Sequence, residues 1–176
     1  MKIKEIKVHI TEEEVENRIK ELGEEISALY GEEAVCLICI LKGSVFFTCE
    51  LAKRITSPVE VEFMSVSSYG AGTSSSGVVR IVQDLQSSIE GKHVLVIEDI
   101  IDSGRTLNYL LENLKTRNPK SLRLCTLLDK PDRRVVEVPV DYVGFVIPDQ
   151  FVVGYGLDYD QRYRNLPYIG FAEIEE

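Results

Sequence analysis

A chain of 176 residues can bury one substantial core and is too short for two typical domains. Its 44% hydrophobic and 28% charged content, without tryptophan, reads as an ordinary soluble globule, and a net charge of -9 argues against a general nucleic-acid binder. No apolar run is long enough to span a bilayer, and the N-terminus, with Lys2, Lys4, Glu5, Lys7 and His9, lacks the apolar core of a signal peptide. A cytoplasmic location without membrane or nucleic-acid partners is therefore expected.

Thr11 and Glu14 form a capping-box signature. Behind them Val15, Ile19, Leu22, Ile26 and Leu29 recur at helical spacing, which predicts an amphipathic helix to about Tyr30. Ala34–Leu41 is a continuous apolar run, the pattern of a strand covered on both faces. Cys36 and Cys39 inside it form a C-x-x-C, but their odd separation on a strand sends the thiols to opposite faces, so they cannot share a metal. These two, Cys49 and Cys125 all read as buried small apolar residues. A helix is expected from Gly43 to a point before Pro58, then a strand over Val59–Val66. Ser67–Gly77, dense in Ser, Gly and Thr, reads as a loop.

Strands follow at Val78–Val82 and His93–Ile97, the second running into an acidic, glycine-containing turn. Leu107, Leu110, Leu111 and Leu114 predict a helix from near Arg105 to before Pro119. Leu122–Leu128 and Tyr142–Ile147 are further strands, and Phe151–Leu166 is rich in Tyr, Gly and charge. Strands alternating with helices imply an α/β fold, a mostly parallel twisted sheet with helices on both faces, in one domain over residues 1–176. Ligands in such folds gather beyond the carboxyl ends of the strands.

The most informative stretch is Val94-Leu-Val-Ile-Glu-Asp-Ile-Ile-Asp-Ser-Gly-Arg-Thr106. An apolar strand runs into Glu98 and Asp99, then into Asp102-Ser-Gly-Arg-Thr106 at a helix start. Small residues at a helix N-terminus present free amides to an anion; Ser103 and Thr106 add hydroxyl donors, and Gly104 permits close approach. Paired carboxylates beside a phosphate cradle would repel a bare anion. They make sense if they accept hydrogen bonds from sugar hydroxyls or hold a divalent ion. The plainer alternative is that Glu98, Asp99 and Asp102 merely cap the next helix.

This segment resembles the signature with which type I phosphoribosyltransferases bind 5-phosphoribosyl pyrophosphate (PRPP), where two acids and two apolar residues precede acid-Ser/Thr-Gly-x-Thr. From about Ile38 to Leu166 the chain resembles the hypoxanthine-guanine phosphoribosyltransferases. That resemblance implies their fold, with a small hood formed by the chain termini, and transfer of the phosphoribosyl group to a 6-oxopurine with Mg²⁺. It also implies a homodimer or homotetramer.

Residue by residue, Leu41-Lys42-Gly43 resembles the family's pyrophosphate-binding turn, in which a cis peptide precedes the lysine; taken alone, Lys42 would be a helix-start surface lysine. Ser68-Tyr69-Gly70 resembles a mobile lid over the reacting centre, and Leu128-Asp129-Lys130-Pro131 a strand end whose lysine contacts the purine 6-oxo group. Ile147–Asp158 resembles the segment that binds base and metal. Phe151 would stack on the purine, Val152 would meet its 2-position edge, and Asp158 would ligate magnesium together with Glu98 and Asp99. Arg164 would reach the pyrophosphate, while Gly43, Ser103, Gly104, Arg105 and Thr106 complete the PRPP site. Asp102, beside the base in the family, is the candidate to take the N7 proton. A regulator on the same fold and a pyrimidine phosphoribosyltransferase are the competing readings. The acidic charge disfavours the first, and the Lys130 and Phe151–Asp158 pair disfavours the second.

Overall fold

The computed structural model describes residues 3–68 and 79–175. The capping box closes as expected. The Thr11 hydroxyl accepts from the Glu14 amide, the Glu14 carboxylate accepts from the Thr11 amide at 2.7 Å, and helix α1 runs over Glu12–Tyr30. The apolar run forms strand β2 (Val35–Ile40), buried at every position, and helix α2 follows over Val45–Ala52. Strands β3 (Val59–Ser68), β4 (Val79–Gln83), β5 (His93–Ile101), β6 (Ser121–Asp129) and β7 (Tyr142–Val146) complete the main sheet, with helix α3 (Arg105–Lys115) between β5 and β6.

The sheet order is β4-β3-β2-β5-β6-β7, parallel throughout except for β4, which pairs antiparallel with β3. From β2 the chain moves to β3 on one side and later to β5 on the other. The carboxyl ends of β2 and β5 therefore flank the point where a doubly wound sheet leaves a crevice. One face is covered by α1 and α2 through Ile19, Leu22, Ile26, Phe47 and Leu51; the other by α3 through Leu107, Leu110, Leu111 and Leu114. Each such apolar side chain, fully buried, contributes roughly 1.5–3 kcal/mol.

The hood is a second, three-stranded antiparallel sheet of β1 (Ile3–Ile10), β8 (Val152–Val153) and β9 (Ile169–Ile174), in the order β1-β9-β8. Periodicity does not reveal β1 because register shifts interrupt its pairing between Ile3 and Glu5 and between Val8 and Ile10. A bulged strand loses the strict alternation that marks a half-buried one.

Three expectations change. β5 extends past its apolar run, with Glu98 paired to Thr126 and Ile101 to Asp129, so Glu98 and Asp99 stand on a strand rather than in a turn. β3 continues through Ser68, taking Ser67 out of the expected loop. Cys36 and Cys39 are buried as expected, Cys36 in the core under α3 while Cys39 meets the Ser44 hydroxyl at the start of α2. Cys125 is also buried, but Cys49 is exposed on α2, because a helix lying on a sheet turns one side to solvent.

Candidate active site

The carboxyl ends of β5, β6 and β7 open onto one cavity of about 480 Å³, lined by Asp99, Asp102, Lys130, Phe151, Val152 and Asp158 among others. Its size suits a base with an attached sugar. Lys130 follows β6 directly. Pro131 opens a 3-10 helix (Pro131–Arg133) and ends the strand, leaving the lysine only 8% exposed. Its Nζ donates to the Gln150 carbonyl at 2.6 Å and stands 3.9 Å from Asp149. An ammonium carries three donors, so this one keeps others for a ligand. Phe151 is 42% exposed although it begins an apolar run, and its ring meets Tyr159 edge-on at 5.7 Å. Val152 is buried in β8.

Beside this cavity the turn after β2 meets the segment after β8. The Leu41–Lys42 peptide is cis. Lys42 Nζ donates to Gln161 Oε1 at 3.2 Å, and Gln161 in turn donates its amide to Asp158 at 2.8 Å. Arg164 pairs with Asp158 at 2.8 Å and donates to the Gly156 carbonyl at 2.7 Å. Two cations, Lys42 and Arg164, thus converge next to Asp158. Gly43 is required where it stands, since a Cβ there would overlap the Asp99 carboxylate.

Glu98 and Asp99 differ in outlook. Asp99 faces the large cavity and accepts from the Ile100 amide at 2.7 Å. Glu98 lines a separate cavity of about 110 Å³ together with Asp102, Ser103, Gly104 and Thr106. Burial, reinforced by the adjacent Asp99 charge, pushes the Glu98 carboxyl well above the usual carboxylate range; burial raises Asp99 too. Asp102 is exposed at the cavity mouth, where Arg133 Nε donates to it at 3.2 Å.

The loop into α3 has the form of an anion site. Gly104 is the N-cap in a left-handed conformation (φ 82°), and a Cβ there would run into the Val136 carbonyl. The Ser103 and Gly104 amides have no hydrogen-bond acceptor among the described residues. Arg105 opens α3 with its amide 3.4 Å from the Ser103 hydroxyl, and the Thr106 amide is one of the free donors of the first turn.

The acid set expected for a metal is only partly brought together. Among the described residues no three acidic, histidine or cysteine side chains converge. Asp99 and Asp158 do share the large cavity. Two oxygen donors, one of them, Asp99, raised by burial, fit a hard divalent cation that keeps waters and is completed by ligand phosphates. Ser68 ends β3 opposite Val79, whereas Tyr69 and the rest of the expected lid lie outside the described residues. Sequence reasoning did not single out Arg133, Arg134 or Tyr159, which lie outside the motifs, nor Asp149, which lies within Ile147–Asp158 without an assigned role.

The family model described as "Phosphoribosyl transferase domain" matches residues 9–160. The chain is 51% identical over 179 aligned positions, covering all of both chains, to the hypoxanthine phosphoribosyltransferase of Haemophilus influenzae. It is 56% identical over 169 residues to the bifunctional protein TilS/HprT of Listeria monocytogenes, a match covering 96% of this chain and 26% of that protein; the chain thus spans about a quarter of that relative's length. A crystal structure of a hypoxanthine phosphoribosyltransferase from Staphylococcus aureus superimposes with a TM-score of 0.90 at 52% identity, over 97% of this chain and 92% of that one. The chain belongs to the phosphoribosyltransferase family, on its hypoxanthine phosphoribosyltransferase branch.

Proposed function

We propose that residues 1–176 act as one phosphoribosyltransferase domain that transfers the 5-phosphoribosyl group of PRPP to N9 of hypoxanthine, and of guanine. The products are IMP or GMP and pyrophosphate, a purine-salvage reaction. The observation that carries this reading is the buried Lys130 ammonium in the same cavity as Asp99, Asp102, Phe151 and Asp158. A lysine donor at the base position favours a carbonyl at C6 and disfavours an amino group, and the acids occupy the PRPP side.

In this reading Phe151 stacks on the purine, Val152 borders its 2-position edge through backbone groups, and Lys130 donates to O6. Ser103, Gly104, Arg105 and Thr106 cradle the 5-phosphate. Glu98 and Asp99 accept hydrogen bonds from the ribose hydroxyls. Lys42, Gly43 and Arg164 hold the pyrophosphate. Asp99 and Asp158 would hold Mg²⁺, which would neutralise charge on the leaving pyrophosphate. Loss of pyrophosphate builds cationic character on the ribose. The chain's own task is to hold base and C1′ in line and exclude water, while Asp102 takes the N7 proton as N9 bonds to carbon. We assign the protein to the cytoplasm, as a homodimer or homotetramer. Val61 and Phe63, half-exposed on the face of β3 opposite the buried Met64, offer apolar surface for such pairing.

A panel of bases with PRPP and Mg²⁺ tests the proposal through relative kcat/KM. Hypoxanthine should turn over and adenine should lag by a factor on the order of 10⁴, because opposed donors at C6 leave both groups unpaired. Lys130→Ala should damage hypoxanthine use far more than PRPP binding. Efficient use of adenine by the native chain would remove the assignment of Lys130.

A further inference from the structure

Asp102 stands on a loop whose carbonyls are held from one side by a single neighbouring segment. The Ile101 carbonyl accepts from the Lys130 amide at 3.0 Å, and the Ser103 carbonyl accepts from the amides of Val135 at 2.9 Å and Val136 at 3.0 Å. Between them the Asp102 carbonyl accepts from Arg134 Nε at 3.2 Å. The other end of that guanidinium is paired with Asp129, the last residue of β6, and the two side chains are only 11% and 15% exposed. A Cβ on Gly104 would also press on the Arg134 side chain, so the loop and this arginine are packed against one another.

All these contacts engage the loop's acceptors. Its Ser103 and Gly104 amides are left without acceptors among the described residues, and both residues line the smaller cavity. The same segment begins with Lys130, so one rigid stretch joins the base-reading lysine to the phosphate loop.

We propose that Arg134 is a positioning residue for the transfer step. It acts through the Asp102 main chain, fixing where the Asp102 carboxylate meets the base. This rests on Asp102 being the proton acceptor. A planar guanidinium can hold the Asp129 carboxylate with one nitrogen and the Asp102 carbonyl with another; a lysine ammonium in the same place keeps the ion pair and loses the fixed fork. Arg133, the preceding residue, touches the Asp102 carboxylate itself at 3.2 Å and Asp149 at 3.4 Å, but it is half-exposed and replaceable by water.

The test uses the whole chain with PRPP, Mg²⁺ and hypoxanthine, read by single-turnover rate, KM for the base and thermal midpoint. Arg134→Lys should keep a near-native midpoint and a base KM within about threefold, yet lose roughly 10- to 100-fold in single-turnover rate, the cost of a small misplacement. Should the single variant fail to fold, the pair Asp129→Asn with Arg134→Gln removes both buried charges together, and the same loss is expected. In an Asp102→Asn background the Arg134 change should add little, because its effect passes through Asp102. A native single-turnover rate in Arg134→Lys or in the folded pair, or an undiminished extra loss in the Asp102→Asn background, overturns the proposal alone. A native rate in Asp102→Asn itself overturns both the proton-acceptor assignment and the role built on it.

Discussion

The roles proposed for Asp99 and Asp102 differ, and substitution should separate them. Asp102 sits exposed at the mouth of the large cavity, while Asp99 faces the same cavity from the end of β5. Asp102→Asn keeps the shape but cannot accept a proton, so single-turnover rate should fall by about 10²–10⁴ with PRPP affinity nearly unchanged. Asp99→Asn should show the reverse emphasis, weaker PRPP binding first and a smaller loss in the chemical step. Equal behaviour of the two variants would mean that the division of labour is wrong. The metal belongs to the same scale. With oxygen donors alone at Asp99 and Asp158, EDTA should abolish turnover and Mg²⁺ restore it, whereas a zinc-selective chelator should have no effect. Full activity in metal-free buffer would contradict this.

At the scale of elements, the two capped helix starts should respond differently to a single methyl-sized change. Thr11 caps α1 at an exposed position and lines neither cavity of the site, so Thr11→Ala should cost about 1 kcal/mol in denaturant unfolding and leave kcat and both KM values unchanged. Gly104 caps α3 with φ 82° against the Val136 carbonyl. Gly104→Ala must strain the backbone or push the loop away, so PRPP affinity should fall together with stability. If Gly104→Ala bound PRPP normally, the loop after β5 would not be the phosphate cradle. The contrast follows from what each cap faces: solvent for Thr11, packed backbone for Gly104.

For the whole molecule, the buried titratable groups set the alkaline limit. Burial pushes the Tyr30 and Tyr155 hydroxyls up to about 12 from 10.0, and the Cys36 thiol up to about 11 from 9.0. The folded chain therefore keeps protons that the unfolded chain releases. Their stabilising share is fully present below the ordinary values and is lost as pH rises through the raised ones. The denaturation midpoint should fall steadily between about pH 9 and 12, and Tyr30→Phe should flatten that fall. The Tyr30 hydroxyl is buried without a hydrogen-bond partner among the described residues, so its removal should not lower stability at neutral pH. An unchanged alkaline slope in Tyr30→Phe would assign the fall to other groups.

What the sequence determined by itself was local. The capping box at Thr11, the leucine spacing of α3 and the apolar run of β2 each report their element because their pattern is set by period and by neighbours a few residues away. The acids and small residues from Glu98 to Thr106 likewise carry the resemblance to the phosphoribosyltransferase signature within thirteen residues from Val94. What only the tertiary structure decided was convergence. Whether Glu98 and Asp99 share an outlook depends on the pleat and on which cavity each side of β5 meets. Whether Lys130 is buried depends on the turn at Pro131 and on Gln150, twenty residues away. That Arg134 holds the Asp102 carbonyl, thirty-two residues back, leaves no trace in local pattern, because the contact is made between segments that follow two neighbouring parallel strands. The hood shows the same division. Its strands are short or bulged and find their partners at opposite ends of the chain, so pairing rather than periodicity makes them strands.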